Sequence, residues 1–141
     1  MKKVYPTFIV KDGEDYLVSV PDMEIFTEGA SFADAIEMAR DAIGAAGISM
    51  EDHDEIIPEP SSEKEAAERV SENADIVDFT KGILTYVDVD FSQYRRKVNT
   101  KTVRRNVALP GWLDYEAEKA GINVSRVLQD ALMKTLNVSR A

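Results

Sequence analysis

The 141-residue sequence contains no cysteine and a single histidine, His53. Without cysteine there is no disulfide framework, no thiolate nucleophile and no zinc site built on thiolates. His53 lies in a polar, acidic segment with no second histidine to support it, so we predict a solvent-exposed residue rather than a metal ligand or general base. Phosphate-binding and dinucleotide-binding glycine patterns are also missing. We therefore assign no catalytic residue, no metal site and no cofactor.

Long apolar runs are missing too. No stretch approaches the roughly 20 consecutive apolar residues that a membrane-spanning helix needs. The N-terminus, MKKVYPTFIV, is typical of a strand and lacks the apolar core and cleavage site of a signal peptide. We therefore expect a cytoplasmic protein with no membrane partner.

Acidic and basic residues are unevenly distributed along the chain. Residues 1–90 contain 22 Asp/Glu and 7 Lys/Arg, a balance of −15, whereas residues 91–141 contain 4 and 10, a balance of +6. Such asymmetry suggests two partners of opposite charge. The basic end suits nucleic-acid phosphates, and the acidic end would attract a basic protein. The alternative for the acidic end is a charge that only aids solubility.

The N-terminal part has the pattern of a small antiparallel sheet followed by a helix. Apolar residues alternate over Val4–Val10 and over Tyr16–Val20, with an Asp-Gly turn signal between them, which predicts a hairpin. A third strand is predicted over Glu24–Glu28. Ser31 begins a pattern like a capping box, which predicts a helix N-terminus, and Gly47 is the predicted C-cap of that helix.

The middle of the chain is less regular. Residues 48–60 predict an acidic connection, and Ser61–Glu65 predicts the start of a short helix. Ile76–Phe79 and Ile83–Phe91 predict two strands or one bent strand. The polar and basic residues 92–101 are the predicted linker.

The C-terminal segment follows the order short strand, short helix, longer helix. The predicted strand Thr102–Leu109 is closed by Pro110, a helix follows over about residues 111–120, and Asn123 is the predicted N-cap of the second helix. One strand and two short helices cannot bury a core, so we expect two copies to pair their strands. The segment resembles ribbon-helix-helix DNA-binding domains in element order, in lengths and in the proline that ends the strand.

This resemblance implies that the outward face of the paired strands enters the DNA major groove. Base contacts are then expected from Thr102, Arg104 and Asn106, since arginine suits the guanine edge and asparagine the adenine edge. Arg105 lies in phase with the apolar residues of the strand, and we expect it to reach outward to a phosphate. The other expected phosphate contacts lie where the second helix begins, at Asn123, Val124 and Ser125.

The apolar residues of the same segment predict a dimer core. The core residues we assign are Val107, Leu109, Val127, Leu128 and Leu132. The alternative to DNA binding is a dimerisation ribbon whose arginines are only solvated.

A second resemblance covers Tyr16 to Ile43. The run YLVSVPDMEIFTEGASFADAIEMARDAI resembles the N-terminal domain of HicB antitoxins, and it departs from their pattern at Met23-Glu24-Ile25, where the family often has a Gly-Cys pair. The matching residues are Pro21, Asp22, Glu28, Gly29, Ala35 and Ala39. The resemblance implies a small sheet with a helix across one face, similar to a truncated ribonuclease H fold, followed by a DNA-binding domain. The expected α+β chain therefore has a toxin-binding domain over 1–91, a linker over 92–101 and a ribbon-helix-helix domain over 102–141.

The same resemblance implies an antitoxin rather than an enzyme. Its partner would be a HicA-like toxin, a small basic ribonuclease that acts on messenger RNA. The N-terminal domain would cover this toxin, with contacts expected at Asp22, Glu24 and Glu28. The C-terminal domain would form a homodimer or a higher oligomer and bind the operator DNA of the toxin–antitoxin operon.

Two other functions stay open on the sequence alone. One is a ribbon-helix-helix repressor whose N-terminal domain senses a small ligand. The other is an active nuclease, in which Asp88 and Asp90 on one face of a strand would bind magnesium. The ordinary alternation of a half-buried strand explains those two carboxylates equally well.

Overall fold

The computed structural model describes residues 1–140 and divides into two units, Met1–Thr100 and a second unit that begins at Lys101. The first unit is a mixed α+β arrangement around a four-stranded antiparallel sheet. Its elements are β1 (Lys2–Asp12), β2 (Asp15–Val20), β3 (Ile25–Gly29), α1 (Phe32–Asp52), α2 (Glu63–Ser71), β4 (Ile83–Asp90) and α3 (Phe91–Val98). The strand order is β3-β2-β1-β4, so β3 and β4 are the two edges of the sheet. Within residues 1–140, no helix has the length and apolar content needed to cross a membrane.

The predicted hairpin and third strand are confirmed. β1 and β2 pair antiparallel with Phe8 opposite Ser19, and β2 pairs with β3 with Ser19 opposite Phe26. Gly13 adopts a positive φ of 61° in the hairpin turn, a conformation that glycine reaches without steric cost.

Side chains alternate between the two faces of the sheet, and each face has its own core. The core on the α1 face comprises Tyr5, Ile9, Val18, Val20, Met23, Ala35, Ala39, Ile43, Ile57, Val87, Val89 and Phe91. The smaller core on the opposite face comprises Phe8, Ala66, Val70 and Phe79, and α2 covers it. The sheet therefore has helices on both sides.

Helix α1 begins where the sequence predicts and ends later. The Ser31 hydroxyl accepts the N–H of Asp34 at 3.0 Å, and the Asp34 carboxylate accepts the N–H of Ala30 at 2.8 Å. The prediction that Gly47 ends the helix is wrong, because α1 continues to Asp52. Gly47 is buried against the ring of Phe91, and a Cβ added at this position would overlap that ring. The glycine therefore allows close packing of α1 against α3 instead of terminating α1.

The segment after α1 crosses from one face of the sheet to the other. The Tyr5 hydroxyl donates to the carbonyl of Pro58 at 2.6 Å on the α1 side. Helix α2 then begins at Ser62, whose hydroxyl accepts the N–H of Glu65 at 3.2 Å, as the sequence predicts. A predicted strand over Ile76–Phe79 is wrong, since this segment is a loop that leads into a short 3-10 turn.

The linker predicted for residues 92–101 is wrong over most of its length. Residues up to Val98 belong to α3, whose first N–H groups are capped by the Asp90 carboxylate. The Tyr94 ring packs on Gly44 of α1, where a Cβ would overlap it. Arg95 pairs with Glu51 and Asp52 at 2.9 Å each. Arg95 therefore helps to attach α3 to the acidic end of α1.

The second unit contains α4 (Gly111–Lys119) and α5 (Val124–Leu136), close to the predicted helices. Asn123 caps α5 as predicted, its side-chain oxygen accepting the N–H of Arg126 at 3.1 Å. Residues 102–109 form no strand within the single chain, contrary to the predicted element. A strand needs a partner, and residues 101–140 offer none.

Candidate partner-binding surfaces

Asp22 lies inside the first unit and not on its surface. Its side chain is 1% exposed, accepts the N–H of Ser61 at 2.9 Å and pairs with Arg69 at 2.8 Å. The prediction that Asp22 contacts a protein partner is therefore corrected: its carboxylate is already engaged by two groups of its own chain. The aspartate instead holds α2 and the preceding connection against the turn between β2 and β3.

Glu24 and Glu28, the other two predicted contacts, are exposed on either side of an aromatic residue. Phe26 lies between them in sequence and points to the same side of β3 as Glu28, opposite to Ile25 and Thr27, whereas Glu24 immediately precedes the strand. The Phe26 side chain is 64% exposed, although its ring lies 6.1 Å from the ring of buried Phe79. Phe26 is not among the contact residues predicted from the sequence, although the strand pattern around the two glutamates is a signal that marks it.

An apolar cleft adjoins Phe26 at this edge of the sheet. It has a volume of about 400 Å³. We call it the Phe26 cleft, and it is lined by Leu17, Val18, Phe26, Thr27, Asn73, Ile76, Val77 and Phe79. A neighbouring cavity of about 360 Å³ shares Phe26, Asn73 and Phe79 and extends to Glu24 and Glu72. Ile76 is 89% exposed, so the apolar surface continues outside the cleft.

The carboxylates of β4 have partners within the unit. Asp88 pairs with Lys2 and with Arg40, each at 3.1 Å, and these contacts, with Lys2 the larger contributor, lower the pKa of Asp88. The hydrogen bond from the Gln93 N–H is the main cause that lowers the pKa of Asp90. Both residues thus have structural roles, and among residues 1–140 no group of three His, Asp or Glu side chains is arranged to hold a metal ion.

The prediction that His53 is exposed is confirmed. The residue lies at the end of α1, as its C-cap.

The second unit exposes the residues predicted to contact DNA. Thr102, Arg104, Arg105 and Asn106 border one groove together with Ser125 of α5. Leu128, Gln129 and Leu132 also line that groove. Asn123 caps α5, and Val124 and Ser125 are its first two residues. The structure thus brings the three predicted base-contacting residues to one groove with Arg105 and Ser125, while Asn123 and Val124 precede Ser125 in sequence without lining the groove.

The predicted dimer-core residues lack cover in the single chain. Over residues 101–140, no residue is buried. Val107, Val127 and Leu132 are 53%, 54% and 60% exposed, while Leu109 and Leu128 are only partly buried. A unit of this size without a core leaves its apolar surface available to another molecule.

Comparison with known proteins identifies the family. Residues 5–131 match the sequence model of the HicB-like antitoxins of bacterial toxin–antitoxin systems. The chain belongs to this HicB-like family. The resemblance predicted from Tyr16 to Ile43 is thereby confirmed. No curated protein sequence matches the chain.

Several solved structures are similar to this HicB-like chain, and two of them match nearly all of it. A chain of a toxin–antitoxin complex from Streptococcus pneumoniae is 24% identical with a TM-score of 0.59, and the match covers 96% of this chain and 99% of that one. This likeness supports the mixed α+β fold. The antitoxin HicB of Burkholderia pseudomallei is 25% identical, with a TM-score of 0.49 and coverage of 96% and 97%. A chain of a HicA3 and HicB3 toxin–antitoxin complex is 26% identical, with a TM-score of 0.47 and coverage of 62% and 98%.

Proposed function

We propose that this chain is an antitoxin that neutralises a HicA-like ribonuclease toxin acting on messenger RNA and represses its own operon by binding operator DNA. The observation that carries the first part is the exposed acidic and apolar surface at the β3 edge, in a chain of the HicB-like family. Residues 1–100 contain 22 Asp/Glu and 10 Lys/Arg. An acidic surface of this kind can occupy the basic surface of a ribonuclease and compete with RNA phosphates.

Glu24 and Glu28 remain the proposed contacts with the toxin. Both are exposed, and neither is in the buried network that engages Asp22. Because exposed charges are screened beyond a Debye length of about 8 Å at physiological ionic strength, association slows as salt rises. The meander β1–β3 followed by α1 across one face of the sheet supports a truncated ribonuclease H-like fold. The proposed non-enzymatic role in the cytoplasm is supported by the match to the antitoxin family.

The proposed repressor function belongs to the second unit. We infer that two copies pair residues 102–109 as a ribbon-helix-helix dimer, which covers Val107, Leu109, Val127, Leu128 and Leu132. The absence of any buried residue over 101–140 supports this inference. Bases would be contacted by Thr102, Arg104 and Asn106 on the outward face of the ribbon. Phosphates would be contacted by Arg105, Asn123, Val124 and Ser125.

Co-expression tests the division of labour between the two units. The fragment 1–100, produced together with the toxin of the adjoining reading frame, is expected to relieve growth arrest without binding the operator. The fragment ends at Thr100 and not at Phe91, because α3 packs on α1 through Tyr94 and Arg95. The full chain is the positive control. Growth arrest that persists although the fragment is folded and abundant would mean that the first unit is not the inhibitor.

A repressor that senses a small ligand is the second candidate function. The volume of the Phe26 cleft, about 400 Å³, falls in the range of small-molecule sites. Purification of the chain from its own cell separates the two functions. A stoichiometric small basic protein supports the antitoxin, whereas operator binding by the chain alone that a metabolite extract reverses supports the sensor.

A further inference from the structure

β3 presents to solvent an aromatic side chain that packs against a buried ring. The Phe26 ring is supported by Phe79, which is 5% exposed and begins a 3-10 turn. Asp78 caps this 3-10 turn, since its carboxylate accepts the N–H of Thr80 at 3.1 Å. An exposed aromatic ring with a rigid base loses little conformational entropy when a partner covers it. Such residues supply much of the binding energy in protein interfaces.

The Phe26 cleft is shaped for an apolar group. Its lining is mainly aliphatic and aromatic, with Leu17 and Val77 on its walls beside the two phenylalanines. Exposed Ile76 extends the apolar surface at its border. Contiguous apolar surface of this kind on a folded unit marks an interaction site.

The charge around the cleft selects the partner. Glu24 and Glu28 flank Phe26, Glu72 borders the adjoining cavity, and all three are exposed. Arg69 lines the same cavity, but its guanidinium pairs with the buried Asp22 carboxylate and so does not neutralise these glutamates. A negative rim around an apolar floor matches a protein that presents an apolar side chain among lysines and arginines. It repels nucleic acid.

The geometry of β3 favours insertion of a side chain over addition of a strand. β3 has five residues and carries the charged Glu28 next to its last residue, Gly29. Short edge strands with charged side chains discourage pairing with another chain. We therefore expect the cleft to recognise a partner through side-chain contacts and not through pairing of backbone strands.

We propose that the Phe26 cleft is the docking site of the basic partner protein. The partner places an apolar side chain against Phe26, Phe79 and Ile76 and sets basic side chains against Glu24, Glu28 and Glu72. This assignment rests on the proposed antitoxin function and specifies the surface that carries it. Asp22 acts behind this surface as a positioning residue, because its bond with Arg69 holds α2 beside the cleft.

The test compares two aromatic residues on the same face of the sheet. Calorimetric titration uses the full chain and the purified protein product of the adjoining toxin-like reading frame. Phe26→Asp is expected to weaken binding by about 30-fold or more, the fold-change of a hot-spot residue. Tyr86→Asp, on the opposite edge strand and 53% exposed, is expected to leave the affinity within about twofold. Phe26 and Tyr86 are both exposed, so neither substitution is expected to unfold the first unit. Thermal melting unchanged from that of the wild type confirms that each variant is folded.

Charge reversal gives an independent readout. The double variant Glu24→Lys, Glu28→Lys is expected to slow association by about tenfold at low salt and to reduce the salt dependence of the rate. The double variant Asp12→Lys, Glu14→Lys, at two exposed carboxylates beside the hairpin turn, is the matched control with the same change in net charge and should alter the association rate far less.

Each outcome decides a different claim. If the wild-type chain binds the basic protein and Phe26→Asp binds it equally well, the docking site is wrong while the antitoxin function stands. If the wild-type chain does not bind, both are overturned. If Phe26→Asp changes only the oligomeric state of the chain by itself, a second copy occupies the cleft and the proposal fails.

Discussion

The protonation state of the buried Tyr5 side chain affects the stability of the first unit. The Tyr5 side chain is fully buried, and its hydroxyl donates to the Pro58 carbonyl. Burial, together with the nearby charges of Glu59 and Asp22, raises the pKa of Tyr5 from 10.0 to about 12. The folded unit therefore favours the neutral phenol, since the phenolate would be desolvated beside two carboxylates.

This raised pKa predicts a loss of stability in base. The stabilising contribution of Tyr5 is complete below pH 10, where the unfolded residue is also protonated, and is lost as pH rises from 10 to about 12. Tyr5→Phe is expected to lower the unfolding free energy by about 1 kcal/mol below that window, through the lost hydrogen bond. The same substitution should also make the unfolding free energy decline less steeply between pH 10 and about 12. Urea unfolding at a series of pH values measures both effects, with Tyr86→Phe as the exposed control. If the unfolding free energy declines equally steeply with pH in Tyr5→Phe and in the wild type, titration of Tyr5 is not the cause of the loss of stability.

Two arginines that are neighbours in sequence are expected to act differently on DNA. Arg104→Ala, combined with Asn106→Ala, should cost about 1–3 kcal/mol of operator binding per lost bidentate contact and relax the base preference. Arg105→Ala should instead weaken binding to all sequences and reduce the salt slope by about 1. Anisotropy titrations on operator variants at several salt concentrations separate the two effects. Undiminished and equally selective binding by the double variant would exclude Arg104 and Asn106 as base readers.

At the scale of elements, α1 depends on two glycines for its contact with α3. Gly47→Ala would stabilise an isolated helix by about 1 kcal/mol, but overpacking a closed contact costs about 1–3 kcal/mol. The added Cβ would overlap Phe91, so we expect a net destabilisation of about 1–2 kcal/mol in chemical unfolding. Gly111→Ala is the matched control, because its added Cβ meets no neighbour within 4 Å.

A double-variant cycle tests the proposed cause. Phe91→Leu should cost less in the Gly47→Ala background than in the wild type, since the smaller side chain relieves the overlap. Strict additivity of the two changes would show that the ring and the glycine do not interact.

The elements that sequence could predict are those with a local physical signal. Ser31, Ser62 and Asn123 are N-caps because their side-chain oxygens accept N–H groups three residues further along. The first hairpin follows from alternation and one Asp-Gly turn. The errors concern residues whose role depends on distant parts of the chain. Gly47 resembles a helix end until Phe91 is placed beside it.

The candidate site was partly predictable for the same reason. Alternation along β3 places Phe26 and Glu28 on one exposed face, and Glu24, which immediately precedes the strand, is exposed as well. The burial of Asp22 depends on Ser61 and Arg69, which lie 39 and 47 residues away in sequence. A local pattern therefore marks the segment correctly but cannot separate a surface carboxylate from a buried one.

At the scale of the whole molecule, the two units have different sources of stability. The first has two cores within one chain, whereas no residue over 101–140 is buried. Burial of one leucine side chain contributes about 1.5–3 kcal/mol, so the exposed leucines and valines of α5 represent stabilisation that only association can provide. The stability of the second unit should therefore depend on protein concentration.

Leu132→Asp is expected to abolish dimerisation of the full chain. Leu132 is 60% exposed in the single chain and lines the groove beside residues 102–107, so a carboxylate there harms the shared core more than the separate chain. Sedimentation equilibrium should show a wild type that is dimeric or larger and a monomeric Leu132→Asp variant that no longer binds the operator. The first unit should unfold as in the wild type. Ile56→Asp, at a residue 92% exposed in the first unit, is the control and should remain associated. A monomeric wild type whose second unit is nonetheless protected from hydrogen exchange would show that residues 101–140 fold without a partner.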